Sequence, residues 1–336
     1  MKILLSSYAF FPNIGGIESV SELLAAEFVR LGHEVRIVTQ TPGEDRPEWG
    51  FQVLRKPGPR ALLQAVRWCD VFFHNNISLQ SAWPLFFVRR PWIITHQTWI
   101  SRLDRSLGWQ DHLKRLLLRS AMNISISREV ARNIPVSSVQ IPNPYRDDLF
   151  HQMPGVVRDK ELVFLGRLVS DKGVDLLIEA LKLLKETGIT VGLTVVGSGP
   201  VENNLKALAQ TLGVAEQIQF VGPKRGEELA RILNTHRVLV VPSRWAEPFG
   251  IVALEGIACG CVVIGSAAGG LPDAIGPCGV TFPNGDAPAL AASIRETLHG
   301  AGRWEELRVH APEHLARHTA ACVAQAYLEI FQKLTR

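Results

Sequence analysis

The feature that most limits what this chain can fold into is an alternation. Segments with the look of buried strands and segments with helical periodicity follow one another almost throughout its 336 residues, the pattern of a doubly wound parallel sheet. The alternation runs twice. In the first cycle residues 2–6, 34–39, 51–54, 71–74, 92–95 and 123–127 read as strands, with helices over 18–31, 78–88 and 110–120. Residues 141–160, IPNPYRDDLFHQMPGVVRDK, are dense in proline and charge and break every period. The second cycle has strands at 161–165, 190–196, 217–221, 238–241 and 262–265, helices at 174–187, 201–212, 227–234 and 288–298, and a long last helix at 314–334. The length is more than one core usually serves, so two α/β domains are expected.

Composition removes several classes. An apolar fraction of 46% with 20% charged residues is ordinary for a globular chain. No apolar run approaches the ~18–20 residues a bilayer span needs. Met1-Lys2 leads straight into a strand, so no signal peptide is expected. The five cysteines, Cys69, Cys259, Cys261, Cys278 and Cys322, are odd in number and lack CxxC pairs, which favours reduced thiols in a cytoplasmic protein over disulfides or zinc. The net charge of +4 is uneven: residues 1–150 hold 18 basic and 13 acidic side chains, and the remainder 18 and 19. That excess is too mild to suggest nucleic acid and suits an anionic membrane surface better.

The stretch from Val238 to Gly260, VLVVPSRWAEPFGIVALEGIACG, holds the densest chemistry. Its β-branched run ends at Pro242-Ser243, a polar loop follows, and Pro248 suits the first position of a helix that Gly260 can end. A strand thus delivers the chain to a helix N-terminus at the mouth of a sheet, the usual ligand position in such folds. Two carboxylates, Glu247 and Glu255, flank the turn. Eight residues of helix span at most ~12 Å and leave the two roughly 80° apart around the axis. A retaining glycosidase pair wants about 5–5.5 Å and an inverting pair about 6.5–9.5 Å, and this spacing suits neither well. It suits two contacts at opposite ends of one long ligand whose phosphates lie over the N–H groups between, as in a sugar–pyrophosphate–nucleoside. Taken alone, the same residues also fit a first-turn dipole contact and an exposed helix position.

E-P-F-G-x4-E, ahead of an Ala-Cys-Gly helix end, resembles the signature of the family-4 retaining glycosyltransferases (glycosyl transferases group 1), with Gly256-Ile257 for the commoner Ala-Met. The resemblance implies the GT-B fold: two Rossmann-like doubly wound domains facing across a cleft. Residues 1–145 would be the acceptor-side domain, 146–160 a linker and 161–313 the nucleotide-sugar domain, with the 314–336 helix packing back on the first.

Other loops agree. Gly15-Gly16, before a helix, lets N–H groups approach an anion; GGIE resembles the family's first-domain loop facing donor phosphate and acceptor. In Gly166-Arg167-Leu168-Val169-Ser170-Asp171-Lys172-Gly173, Ser170 or Asp171 can cap the next helix. Lys172 in a first turn opposes the macrodipole unless an anion sits there, and GRL-x2-DKG resembles the pyrophosphate motif at Arg167 and Lys172. Gly197-Ser198-Gly199-Pro200 has Glu202 where the dinucleotide fingerprint has its third glycine, and resembles the family's GSGP. Gly222 to Arg225 lies where relatives recognise the base, and Gly269 to Asp273 resembles GGxPE. His96 ends a first-domain strand, where the family places a needed histidine; Ser127, after the next, is a weaker phosphate donor. No Asp-x-Asp is present, so Arg167, Lys172 and helix N-termini would stabilise the leaving diphosphate, with no metal and no cofactor. Residues 99–122 interleave Trp99, Leu103, Leu107, Trp109, Leu113, Leu116 and Leu117 with Arg102, Arg105, Lys114, Arg115 and Arg119, a composition shared by interfacial amphipathic helices and plain surface helices.

The resemblance therefore implies a metal-independent glycosyltransferase that moves a sugar, with retention, from a UDP- or GDP-linked donor to a hydroxyl acceptor, lipid-linked acceptors included. His96, Glu247, Arg167 and Lys172 would serve the chemistry; Gly15, Gly16, Gly197, Phe249, Gly250, Ile251 and Glu255 would join them in donor binding. Glu255 is expected on the ribose and Glu247 on the sugar hydroxyls. The alternatives are a dinucleotide oxidoreductase, a pyridoxal-dependent phosphorylase of the same fold, and a non-catalytic nucleotide-sugar-binding protein.

Overall fold

A computed structural model describes residues 1–13, 15–100 and 108–335. The chain divides into two compact units, Met1–Pro144 with His318–Arg336, and Tyr145–Arg317.

The first unit is built on β1 (Lys2–Ser6), α1 (Gly16–Arg30), β2 (Glu34–Thr39), β3 (Gln52–Arg55), α2 (Pro59–Trp68), β4 (Val71–Asn75), α3 (Leu79–Ala82), β5 (Trp92–His96), α4 (Trp109–Leu117), β6 (Met122–Ser125), α5 (Arg128–Asn133) and β7 (Val139–Gln140). Its sheet runs β3-β2-β1-β4-β5-β6-β7 with every pair parallel. Strand order reverses between β1 and β4, which puts the switch point, the customary ligand position, at their carboxyl ends. β1, β4 and β5 are buried nearly end to end, as strands covered on both faces must be.

In this unit one helical expectation is revised and one helix was not expected. Residues 78–88 form not one helix but α3 followed by a 3-10 turn, Trp83–Phe86, because Pro84 has no N–H to continue the α ladder. α2 was hidden behind Pro57-Gly58-Pro59, which reads as a turn; Pro59 sits at its first position, where the missing N–H costs nothing.

The second unit holds β8 (Lys160–Leu165), α6 (Val174–Glu186), β9 (Leu193–Val196), α7 (Glu202–Thr211), β10 (Ile218–Gly222), α8 (Gly226–Thr235), β11 (His236–Val241), α9 (Ile251–Ala258), β12 (Val262–Ser266), α10 (Leu271–Ile275), β13 (Gly279–Phe282), α11 (Ala287–His299), α12 (Arg303–Arg308) and α13 (Ala311–Ala316). Its parallel sheet runs β10-β9-β8-β11-β12-β13, with the switch point between β8 and β11. Residues 146–160, expected as a linker, count with this unit. Arg158 shows one reason: its guanidinium donates to the carbonyls of Leu233, His236 and Cys259, collecting acceptors left at the ends of α8 and α9.

The helix expected over 314–334 is two. α13 ends at Ala316 and α14 runs Ala320–Thr335. α14 packs on the first unit: Phe331 lies 5.6 Å from Phe28 and 5.5 Å from Phe73, ring centre to ring centre. The buried Tyr327 hydroxyl meets Thr95 Oγ1 at 2.9 Å. Both folds are thus Rossmann-like parallel sheets, as the alternation requires.

Candidate active site

In the second unit four loops leave the carboxyl ends of β8, β9, β11 and β12 and lock together through glycines. Gly173 has φ +68, and a Cβ there would stand 2.0 Å from Pro242 O. Gly269 has φ +70 and packs equally closely on Glu247 O; the two residues form a parallel bridge, and Gly270 N donates to Glu247 O at 2.6 Å. In the β9 loop, space for a side chain on Gly197 is filled by Gly166 O, and on Gly199 by Leu168 O. The structure therefore gives these glycines a packing reason: the backbones approach more closely than any Cβ allows.

The loops converge on Glu247. Lys172 Nζ lies 2.5 Å from Glu247 Oε1, and Ser243 Oγ donates to the same oxygen at 2.8 Å. Ser266 Oγ in turn donates to Ser243 O at 2.8 Å, tying the end of β12 to the loop. Both donors use Oε1, so Oε2 has no partner among the described residues. An ammonium carries three N–H donors, and only one is directed at Glu247, which leaves Lys172 able to meet a second anion. Asp171 O accepts from Arg244 N and Trp245 N, and the Arg244 guanidinium pairs with Asp175 at 2.7 Å. Arg167 is exposed, and its side chain has no hydrogen bond or ion pair among the described residues. The loop after β8 thus carries one paired lysine and one arginine without a partner among the described residues, cations whose charge is only partly met.

Two local expectations are corrected. Ser170 and Asp171 do not cap α6: they and Lys172 form a 3-10 turn, and left-handed Gly173 stands at the helix start with no side-chain cap. Pro248 is not the first helical residue. Gly250, at φ +102, interrupts the chain, and α9 starts at Ile251, because a left-handed residue cannot continue a right-handed helix. Phe249 is buried, and Ile251 opens α9 with Glu255 one turn on. Burial pushes the Glu255 carboxyl up to about 7, against the pull of Arg146.

In the first unit Gly15, extended at φ −173, precedes α1, which begins at Gly16; Ile14 lies outside the described residues. His96 closes β5 and is fully buried. Its Nε2 meets Asn123 Oδ1 at 3.0 Å, and Asn123 Nδ2 donates to Leu118 O and Ala121 O. That fixes the amide, so the acceptor oxygen faces the imidazole and Nε2 carries the proton. Nδ1 is left as an acceptor with no partner among the described residues, and burial lowers the pKa, keeping the ring neutral. Ser127 caps α5 by accepting from Val130 N. Of the 99–122 stretch, Arg102, Leu103, Arg105 and Leu107 lie outside the described residues; Trp109, Leu113 and Leu116 are exposed on or at the start of α4. Among the described residues no group of three His, Cys, Asp or Glu side chains is placed to hold a metal.

Sequence reasoning passed over Ser243, which as a serine after Pro242 read only as a strand stop. It also passed over the Arg244–Asp175 pair.

Residues 147–314 match the family model described as Glycosyl transferases group 1. An uncharacterized glycosyltransferase of Methanocaldococcus jannaschii is 29% identical over 329 residues, covering 82% of this chain and 83% of that protein. A D-inositol 3-phosphate glycosyltransferase of a Mycobacterium species is 38% identical over 119 residues, 35% of this chain and 27% of that protein. Among solved structures, HepE of Anabaena in complex with UDP and glucose has TM-score 0.81 at 18% identity, over 99% of this chain and all of that one; this likeness concerns the fold.

Proposed function

The chain belongs to the glycosyl transferases group 1 family, enzymes that take a sugar from a nucleotide-activated donor, and on that premise we propose that it is a retaining, metal-independent hexosyltransferase acting on a hydroxyl acceptor. The observation that carries the proposal is the Lys172–Glu247–Ser243 contact at the switch point of the second sheet, with the exposed Arg167 in the same loop as Lys172. A diphosphate is the ligand that completes it: two cations of different kinds, one a fork and one a point charge, with part of their charge unmet.

In this reading the bond from the anomeric carbon to the diphosphate oxygen breaks, while the acceptor oxygen bonds to the same face. The acceptor proton passes to the departing phosphate. Arg167 and Lys172 stabilise the charge that develops there. Glu247 Oε2 accepts from a sugar hydroxyl, Glu255 meets the ribose, and Gly197, Phe249, Gly250 and Ile251 shape the donor site. In the first unit His96 offers a neutral acceptor at Nδ1 rather than an acid. UDP is the favoured nucleotide, since HepE, of the same fold, holds UDP.

The test is nucleotide release from UDP- and GDP-sugars, with and without acceptor extracts, in Arg167→Gln and Lys172→Gln. Each is expected to lower donor kcat/KM by about a hundredfold or more. Unchanged affinity and turnover in both would overturn the proposal. Binding without any turnover in the wild type would leave a non-catalytic nucleotide-sugar protein.

The same reading sets the protein in the cytoplasm at the edge of an anionic membrane. Phe86 and Phe87 are 72% and 77% exposed, and Arg89-Arg90 follow in a stretch, 71–103, without one acidic residue. Apolar side chains beside cations are what an anionic interface takes up. No helix among the described residues is long and apolar enough to cross a membrane. Sedimentation with phosphatidylglycerol vesicles, lost in the double variant Phe86→Ser/Phe87→Ser, tests the contact.

A further inference from the structure

A cavity of about 380 Å³ opens in the first unit at the carboxyl ends of β1 and β4, the switch point of that sheet. Its volume lies at the low end of the roughly 300–1,000 Å³ usual for small-molecule sites. Tyr8 lines one side, Asn75 and Asn76 the base of the β4 loop, Gln80 the start of α3, and Gln110 and Lys114 the α4 side. Four residues with primary amides, a phenol and an ammonium line one space, and no carboxylate lines it among the described residues.

Each group is held or left open in a way that bears on a ligand. The Tyr8 ring is 58% exposed, yet its backbone is fixed, since Tyr8 O accepts from Gln40 N and Thr39 Oγ1, both at 3.1 Å. A rigidly carried, open aromatic face is a stacking platform. Asn75 is fully buried; its Nδ2 donates to Ser21 Oγ at 2.7 Å and Ile17 O at 3.2 Å, and its Oδ1 has no partner among the described residues. Asn76 has φ +79, a left-handed conformation that a side-chain-bearing residue holds at a cost of order 1 kcal/mol and that tends to occur at binding sites. Among the described residues Lys114 has one partner, Asp111 Oδ1, at 3.5 Å. The other oxygen of Asp111 accepts from Gly108 N at 2.9 Å, so that carboxylate is committed to capping α4.

We propose that this cavity is the acceptor subsite and takes a sugar ring bearing an acidic substituent. Amides offer donors and acceptors together, as vicinal hydroxyls require. Tyr8 takes the C–H face of the ring, and Lys114 takes the phosphate or carboxylate. An amine ligand would want a carboxylate, and none lines the cavity among the described residues. That the ligand is the acceptor rests on the transferase reading above; the binding chemistry does not.

The experiment uses three probes, glucose, glucose 6-phosphate and glucuronate, with the intact protein, binding being followed by saturation-transfer NMR. Wild type is expected to bind both anionic sugars about tenfold tighter than glucose. Lys114→Ala should bring all three together, and Tyr8→Ala should weaken all three alike, by about fivefold to tenfold. UDP binding by calorimetry should be the same in wild type and both variants, which shows that they are folded. No preference for the anionic sugars in wild type, or a preference that survives in Lys114→Ala, overturns the proposal. If the anionic sugars bind as expected but none raises UDP release from UDP-glucose, the assignment to the acceptor falls while UDP binding still reports on the donor site.

Discussion

Glu247 has one oxygen occupied twice and the other open among the described residues, and Ser243 is half of the reason. Without its hydroxyl the carboxylate keeps only the lysine and gains a rotamer. Ser243→Ala is therefore expected to lower kcat/KM for the donor sugar by about tenfold. Affinity for UDP alone should hold, because UDP has no sugar for Glu247 to meet, and Ser243→Thr should restore most of the loss. Equal effects on UDP and UDP-sugar would place the serine in packing rather than positioning. Glu255 gives a pH signature. Its carboxyl is raised from the ordinary 4.5 to about 7, so the unfolded chain releases its proton first as pH rises. The contribution of Glu255 to stability is greatest below 4.5, declines from there to 7, and stays lower above, with a ceiling of about 3 kcal/mol for the loss. Glu255→Gln should flatten that slope in urea melts and stabilise the free protein at pH 8 but not at pH 4, while weakening nucleotide binding.

The loops of the second unit are set less by their own propensities than by one another. Gly269→Ala would push a methyl into Glu247 O at a left-handed φ, and an expected loss of about 2 kcal/mol or more should appear as a lower melting temperature with donor turnover reduced in step. Strands were legible because burial on both faces writes a local code: residues 2–6, 34–39 and 238–241 are apolar or β-branched where they had to be. Arg167, Lys172, Glu247 and Glu255 were legible as a motif, and the structure sets the first three beside one switch point. What escaped is what depends on a partner elsewhere in the chain. Pro248 carries the local mark of a helix start, but the break belongs to Gly250, which is left-handed and where a Cβ would stand 2.6 Å from Leu271. Asp171 carries the mark of a cap, yet its carbonyl is needed by Arg244 and Trp245. Ser243 is unremarkable until Glu247 folds back to it. The 314–334 helix looked continuous because nothing local announces the break between α13 and α14.

At the scale of the molecule, the first unit borrows its last helix from the far end of the chain. Phe331 is fully buried and touches Phe28, Phe73 and Tyr327. Phe331→Ala should cost about 3–5 kcal/mol, all of it in the first unit. Calorimetric scans with and without UDP should then show one transition shifted down and a second, ligand-sensitive transition unmoved; a single transition shifted as a whole would mean that the units melt together.

Because Tyr145–Arg317 is one unbroken segment while its neighbour is assembled from Met1–Pro144 and His318–Arg336, synthesis and folding run out of order. On the ribosome the middle of the polypeptide can finish its sheet while the earlier-made β-strands still lack the aromatic clasp of α14. The nascent Phe28 and Phe73 must wait, uncovered, for more than half of translation. That interval is when a chaperone has something to hold.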